Sequence, residues 1–136
     1  MDKYMIEELH VDGIERKAVI RNNLSERLVV YFVEPTEYLE SNEFSKIKKV
    51  GDFLEGNIEI DCASVIRKTN VPLMYKQPIF NSYHIEAVVE VVEVIDEFSL
   101  YAITSIIENK VLVDFDEKVS FNIKDRIFID GCLSIY

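Results

Sequence analysis

Apolar and polar residues alternate over several short segments of this chain, which is the pattern of half-buried β-strands. In the segment 53–61, every second residue from Leu54 to Ile60 is apolar or Gly, and most residues between them are acidic. The segment 84–95 alternates in the same way until 91–93, where a change of phase predicts a β-bulge. The alternation predicts an all-β chain of about eight mainly antiparallel strands, at 4–11, 14–21, 27–34, 53–61, 84–95, 98–106, 110–116 and 126–135.

The segment 35–49 has the features of one short helix. Pro35 suits a first helical turn, and Gly51 stands just after the segment, where helices commonly end. Acidic residues lie at its start and basic residues at its end, which matches the helix dipole: Glu37, Glu40, Lys46, Lys48 and Lys49. The sequence therefore predicts a helix between the third and fourth strands.

Similar phrases recur in the two halves of the chain. "RLVVYFVE" at 27–34 resembles "KVLVDFDE" at 110–117, and "GNIEID" at 56–61 resembles "GCLSIY" at 131–136. These matches favour a degenerate internal duplication, although two β-meanders can also converge on similar alternation because strands use few residue types. Copies of about 55 residues are thin for independent cores, which favours one domain with a shared core. The predicted layout is a single domain at 1–136, with copy one at about 4–69, an irregular crossover at 70–83 and copy two at about 84–136.

The element order of the first half is three strands, a helix and a strand. With the "GDFLEGNIEI" cadence at 51–60, this order resembles the oligonucleotide/oligosaccharide-binding (OB) barrel over roughly residues 4–69. The resemblance implies an OB-like or related small β-barrel. It fixes no functional residue.

Acidic residues dominate the charge of the chain. Its 136 residues include 15 Lys and Arg against 25 Asp and Glu, which gives a net charge of −10. The excess is concentrated between Glu86 and Glu117, where the only basic residue is Lys110. A field of this sign repels nucleic-acid phosphates and anionic lipids and attracts basic partners. Nucleic acid is therefore not an expected partner.

No motif of a known catalytic or cofactor site occurs in the sequence. The two histidines, His10 and His84, lie in strand-like segments and indicate solvated or core-edge side chains. Asp114 and Asp116 fall on one strand face, and such pairs can bind divalent ions, but alternating acids usually form the wet face of a strand. The sequence thus predicts no catalytic, metal or cofactor-binding residue.

The cysteines and the chain's apolar segments bear on its location. Cys62 and Cys132 lie in apolar strand-like runs, which predicts reduced, buried thiols, with a bridge between the two copies as an alternative. "MDKYMIEELHVDG" at 1–13 does not resemble a signal peptide, and no apolar run is long enough to span a membrane. The expected location is the cytoplasm, without membrane association.

The first functional hypothesis is a non-enzymatic acidic module that binds a basic protein partner. In general character it is similar to the immunity proteins that neutralise bacterial toxins. The partner is expected on the acidic strands at Glu86, Glu90, Glu93, Phe98, Tyr101, Asp114, Phe115 and Asp116.

The alternative is an OB-type module that binds nucleic acid or a small ligand, with a site formed by basic and aromatic side chains. These would be Lys46, Lys48, Lys49, Arg67 and Lys68 with Tyr31, Phe53 or Tyr75. An enzyme is the third possibility, without a candidate nucleophile or base. Neither the pattern nor the charge predicts an oligomeric state.

Overall fold

A computed structural model describes residues 2–35 and 37–136 of the chain. Within these ranges the chain is all-β and contains no helix, and so none that could cross a membrane. The strands are β1 (Asp2–Met5), β2 (Glu8–Asp12), β3 (Glu15–Arg21), β4 (Arg27–Val33), β5 (Phe53–Gly56), β6 (Ile58–Lys68), β7 (Met74–Lys76), β8 (His84–Val94), β9 (Ser99–Ile103), β10 (Val111–Phe115) and β11 (Arg126–Ile135).

Five of these strands close into a barrel. β11 pairs with β6, β6 with β10, β10 with β9, β9 with β8, and β8 returns to β11. The β6–β10 pair is parallel and the other four pairs are antiparallel. The barrel therefore has no free edge along its own five strands.

The remaining strands are attached around this barrel. The meander β2–β3–β4 extends the sheet from β11, which β4 joins in parallel where Tyr31 lies opposite Ser134. β7 lies along the outer edge of β8, and β1 pairs with β5 in a separate two-stranded sheet. β2 and β3 form a hairpin through a two-residue turn at Gly13-Ile14, with Asp12 opposite Glu15.

The predicted alternation places the core. In 53–61, Leu54, Gly56, Ile58 and Ile60 are buried, as expected for one face. The phase change in 84–95 is also confirmed as a register shift between Val91 and Glu93. One cluster of buried apolar side chains draws on both halves of the chain, including Ile20, Leu28, Ile60, Ala87, Val89, Leu100, Val113, Ile127 and Leu133.

The prediction of a helix near 35–49 is wrong. Thr36 lies outside the described residues, and the rest of the segment is an exposed loop with a turn at 41–42. Backbone N–H groups that a helix would use internally are donated instead to carboxylates. Those of Lys46 and Lys48 are donated to the side chains of Glu37 and Glu34. Acidic side chains thus compete with the helical hydrogen bonds.

Two other expectations about the fold are corrected, and a third holds with an exception. The structure has eleven strands rather than about eight, because the segments 4–11 and 53–61 are each divided into two and the crossover contains β7. The strand pairs are mainly antiparallel, as expected, but β6–β10 and β4–β11 are parallel, so the sheet is mixed rather than purely antiparallel. The barrel is not built from 4–69, because four of its five strands come from 84–135.

The structure gives the internal duplication no support. The phrase at 27–34 forms β4, which lies outside the barrel, whereas its counterpart at 110–117 supplies β10 inside it. The phrases "GNIEID" and "GCLSIY" do not occupy equivalent places in two copies. They pair with each other as antiparallel neighbours, with Ile58 opposite Ile135.

Candidate functional site

Three carboxylates come together on the outside of the barrel, where β6 and β10 run in parallel. Glu59 and Asp61 are alternate residues of β6 whose neighbours Ile58 and Ile60 point into the core, and Asp114 lies on β10 beside them. One oxygen of each carboxylate lies within 4.8 Å of the others. We call Glu59, Asp61 and Asp114 the acidic face.

Hydroxyl groups of the same sheet hold two of the three carboxylates. The Ser99 hydroxyl donates to Asp114 at 2.6 Å. The hydroxyls of Ser134 and Tyr136 donate to the same oxygen of Asp61, at 2.7 Å and 3.0 Å. The Glu59 carboxylate receives no hydrogen bond from the described residues. The arrangement is therefore fixed at Asp61 and Asp114 and open at Glu59.

The electrostatic potential of the acidic face is negative and uncompensated. Burial, followed by the charges of Asp61 and Asp114, raises the pKa of the Glu59 carboxyl. Burial and the hydrogen bond to Asp61 raise the pKa of Tyr136 to about 12. Across residues 2–35 and 37–136, no basic side chain forms an ion pair with any of the three carboxylates. An incoming cation would relieve this repulsion.

The chemistry of these donors favours a cationic group. Carboxylate oxygens are the ligands that hard divalent cations prefer, so the acidic face is where such an ion could be held. Asp61 and Asp114 already accept hydrogen bonds from hydroxyls, and Ca²⁺ takes six to eight oxygens. An ammonium or guanidinium group needs fewer acceptors, and it can bind the carboxylate oxygens that the hydroxyls leave free.

A cleft of about 380 Å³ continues from the acidic face across β9 and β10. Its lining includes Glu59, Tyr101, Leu112, Asp2 and Lys110. The Lys110 ammonium lies 4.1 Å from the centre of the Tyr101 ring. The cleft thus already holds one cation of the chain itself over its aromatic surface.

No family model, curated protein or solved structure matches this chain. What the acidic face does is therefore inferred from its own geometry and charge. The chain resembles OB domains only in having a small β-barrel, and it resembles immunity proteins only in its acidic charge.

All three acidic residues predicted as a partner site on β8 already form ion pairs. Each forms an ion pair with a base that lies elsewhere in the sequence but beside it in the fold. These pairs are Glu86 with Lys76 at 3.5 Å, Glu90 with Arg126 at 3.1 Å and Glu93 with Lys110 at 3.2 Å. The row on β8 is therefore a line of paired charges rather than a bare acidic strip.

The other predicted residues are dispersed. Asp114 belongs to the acidic face and Tyr101 to the adjoining cleft, while Phe98 is 42% exposed in the turn before β9. Asp116 is exposed just after β10 ends. Phe115 is 6% exposed and packs against Phe121. It lies on the same buried face of β10 as Val111 and Val113.

Sequence reasoning missed Glu59 and Asp61. Both lie outside the window of excess acid, and the sequence contains no local signal that joins them to Asp114. The alternation of 53–61 did place them on the polar face of a strand. Only the parallel pairing of β6 with β10 brings that face beside Asp114.

The basic residues of the alternative, OB-type site lie on different parts of the surface. Lys46, Lys48 and Lys49 line a cleft beside β5, together with Phe53. Arg67, at the far end of β6, lies 4.8 Å over the ring of Phe128. Lys68 forms an ion pair with Asp125 at 3.3 Å. Tyr31 packs against Tyr83 rather than standing free.

A third arrangement involves Cys132, which lies between His84 on β8 and Asp61 on β6. A cysteine beside a histidine is a nucleophile when its pKa is lowered. Burial and the neighbouring Cys62 instead raise the pKa of the Cys132 thiol, so this residue is not an activated nucleophile. The prediction of buried thiols is wrong for Cys62, whose side chain is exposed.

Proposed function

We propose that this protein is a non-enzymatic binding module that engages a basic protein partner through the acidic face. The observation that carries the proposal is the group of three carboxylates within 4.8 Å that no base in the described chain neutralises. Elsewhere on the barrel, acids such as Glu86 and Glu90 have their own basic partners. A cation from a partner would therefore be bound most favourably at the acidic face, where no base of the described chain competes with it.

The surroundings of the acidic face fit a lysine or arginine of such a partner. Glu59 is partly buried and has no partner in the described chain, so it presents a charge that is less screened than a fully exposed one. Tyr101 and Tyr136 lie beside the carboxylates and offer aromatic surface. Aromatic residues anchor interfaces, and complementary charge speeds encounter. A net charge of −10 adds long-range attraction for a basic protein.

This mode of binding suits an inhibitor-like role, comparable in character to immunity proteins. A rigid barrel that presents fixed carboxylates to a basic cleft needs little reorganisation on binding. The serine and tyrosine hydroxyls around Asp61 and Asp114 provide that rigidity. The proposal requires no catalytic residue.

The test uses a fluorescently labelled decalysine peptide as the basic probe, with decaglutamate as the matched acidic probe. The wild-type protein should bind decalysine, with an association rate that falls as salt is added. The double variant Glu59→Lys/Asp114→Lys should associate several-fold more slowly. The control, Glu40→Lys/Glu55→Lys, makes the same change in net charge at exposed residues outside the acidic face.

The two variants separate a local site from net charge. If both slow association equally, the effect is general charge and the acidic face is not the binding site. If the wild-type protein binds decalysine no better than decaglutamate, the proposal of a basic partner fails. Circular dichroism of both variants checks that the β-fold survives.

An OB-type binding module is the second candidate, and the closed five-stranded barrel favours it, because OB domains are five-stranded barrels. Against it stand the net charge and the dispersal of Lys46 and Arg67 to different surfaces. Fluorescence anisotropy with a labelled poly-dT strand tests it. Micromolar binding that weakens with salt would favour this candidate over the first.

A further inference from the structure

The two cysteines lie on neighbouring strands of the barrel. Cys132 of β11 is paired with Asp61 of β6, and Cys62 directly follows Asp61. Opposite residues in an antiparallel pair have Cα atoms about 5 Å apart, and one step along a strand adds about 3.3 Å. Cys62 is therefore next to the direct partner of Cys132, where regular strand spacing corresponds to a Cα separation of about 6 Å, within the range of about 4.4–6.8 Å that disulfides span.

A β-bulge turns Cys62 toward solvent. Strand β6 has one more residue than both β11 and β10 at this point, as register shifts on both sides show. Cys62 has a φ angle of 51°, in the left-handed region where the first residue of such a bulge is usually Gly. Because of the extra residue, Ala63 returns to the core while the Cys62 side chain is exposed.

The backbone of Cys62 is strained for a residue with a side chain. A left-handed conformation costs a non-glycine residue roughly 1–2 kcal/mol. Strained residues of this kind cluster at functional sites, where the strain is retained for a reason other than stability. A Cys at this position therefore points to a role for its thiol.

Both thiols are accessible and close to each other. Cys62 is exposed and Cys132 is half-buried. The pKa of the Cys132 thiol is raised, first by burial and next by the neighbouring Cys62 thiol. Burial and then Cys132 also raise the pKa of the Tyr83 phenol, with a smaller contribution from Cys62. In the sheet, Tyr83 precedes His84, which is the partner of Cys132 on β8, and Cys62 follows Asp61, which is the partner of Cys132 on β6.

We propose that Cys62 and Cys132 form a reversible modification site for small disulfides. The thiolate of the exposed Cys62 attacks one sulfur of a disulfide RSSR, forms a mixed disulfide and releases one RSH. The Cys132 thiolate then attacks the Cys62 sulfur, closes the Cys62–Cys132 bond and releases the second RSH. The two protein thiols lose two electrons and two protons, and the small disulfide gains both.

The charges around the site select the reagent. Burial is the largest cause of the raised pKa of the Cys62 thiol, and the charges of Asp116 and Asp61 raise it further. The charges of Asp61, Asp116 and Asp130 also raise the pKa of the Cys132 thiol. A raised thiol pKa leaves less thiolate at neutral pH, so exchange accelerates as the pH rises. The same negative potential attracts cationic disulfides and repels anionic ones. The site therefore favours cystamine over oxidised glutathione.

The experiment treats the folded protein with cystamine at mildly alkaline pH, quenches with acid and measures the intact mass. The wild type should lose two hydrogen atoms and carry no adduct. Cys62→Ser and Cys132→Ser each lack the second thiol, so a product of either variant should retain one cysteamine adduct. A wild-type protein that carries two stable adducts, or that reacts only after unfolding in urea, overturns the proposal.

The charge selectivity has its own test. Cystamine should react several-fold faster than oxidised glutathione at low salt, and added salt should reduce the ratio. Asp116→Asn should speed the reaction with oxidised glutathione more than Glu117→Gln does, because Glu117 is not among the groups that raise either thiol pKa. Equal rates for the two variants overturn the selectivity. None of these results depends on the proposed partner.

Discussion

Gly131 faces the backbone of Asp61 so closely that an added Cβ atom would lie 2.8 Å from the Asp61 carbonyl oxygen. The same atom would lie 2.8 Å from Cγ2 of Ile60, whose side chain is fully buried. Neither neighbour can move without disturbing the pairing of β6 with β11. We therefore expect Gly131→Ala to lower the free energy of unfolding by about 1–3 kcal/mol, measured by urea denaturation.

Gly13 provides the control for this prediction. It has a φ angle of 60° in the β2–β3 turn, and an added Cβ would meet no atom within 4 Å. Gly13→Ala should therefore cost only the backbone penalty, roughly 1–2 kcal/mol. Normal stability of the Gly131→Ala protein would show that the strands can separate at the bulge, contrary to the structure.

Replacing Cys62 by Gly should stabilise the protein. Gly adopts the left-handed conformation of Cys62 without steric cost, although it adds freedom to the unfolded chain. The difference should be about 0.5–1 kcal/mol in favour of Gly. Cys62→Ala keeps the backbone penalty and removes only the thiol, so its urea midpoint should stay near that of the wild type. Equal stability of the Gly and Ala variants would argue against a strained backbone here.

Glu59 should make the stability depend on pH. Its pKa is raised above the ordinary value of 4.5 by burial, Asp61 and Asp114. Between the two values the folded state binds the proton more tightly than the unfolded state, so stability falls as the pH rises through that window. Glu59→Gln removes this loss. Its urea midpoint should exceed that of the wild type near neutral pH and match it at a pH well below 4.5.

Glu55→Gln is the control for the pH prediction, because Glu55 is exposed on β5 and not part of the acidic face. Its effect on the midpoint should be small at both pH values. A Glu59→Gln protein with the same pH profile as the wild type would contradict the repulsion described for the acidic face.

Lys110 should compete with an external cation for Tyr101. Its ammonium lies 4.1 Å from the ring centre and 3.2 Å from the Glu93 carboxylate. If the proposed function holds, Lys110→Met frees this surface and should increase the affinity for decalysine several-fold. Lys118→Met also removes one positive charge, from the exposed pair with Glu97, and should have a smaller effect. Equal gains in affinity would assign the result to net charge alone.

The two halves of the chain should not fold separately. A fragment 1–70 contains β6 without the partners β10 and β11, and a fragment 71–136 contains a barrel that lacks β6. Neither fragment can cover its apolar face, so neither should show a sharp thermal transition by circular dichroism. A cooperative transition in either fragment would contradict the single shared core.

The elements that depend on local alternation were predictable. β11 was expected at 126–135 and spans Arg126–Ile135, and the bulge in β8 was placed correctly. In these segments one face is buried in the barrel, so the period of two is imposed by the core. The register of each strand with its distant neighbours leaves no such mark on the sequence.

The failures come from interactions between distant segments. The predicted helix was lost because Glu34 accepts from the backbone of Lys48 across the loop. The excess of acids between Glu86 and Glu117 suggested a bare negative charge on β8. In the structure, Lys76 and Arg126 of other strands form ion pairs with its acidic residues. The acidic face itself depends on a parallel pairing that no local pattern encodes. Contacts between segments that are distant in the sequence therefore explain both the wrong predictions and the formation of the acidic face.

The position of β6 in the barrel also has a consequence for the order of folding. Both of its barrel neighbours, β10 and β11, come later in the chain, and β11 ends at Ile135. During synthesis β6 must wait, with Ile58 and Ile60 unpaired, until β10 and β11 have also left the ribosome. Closure through contacts so distant in sequence is slow compared with hairpin formation. Until then the apolar face and the edges of β6 are unpaired, and this is the stage at which the chain is most prone to aggregate.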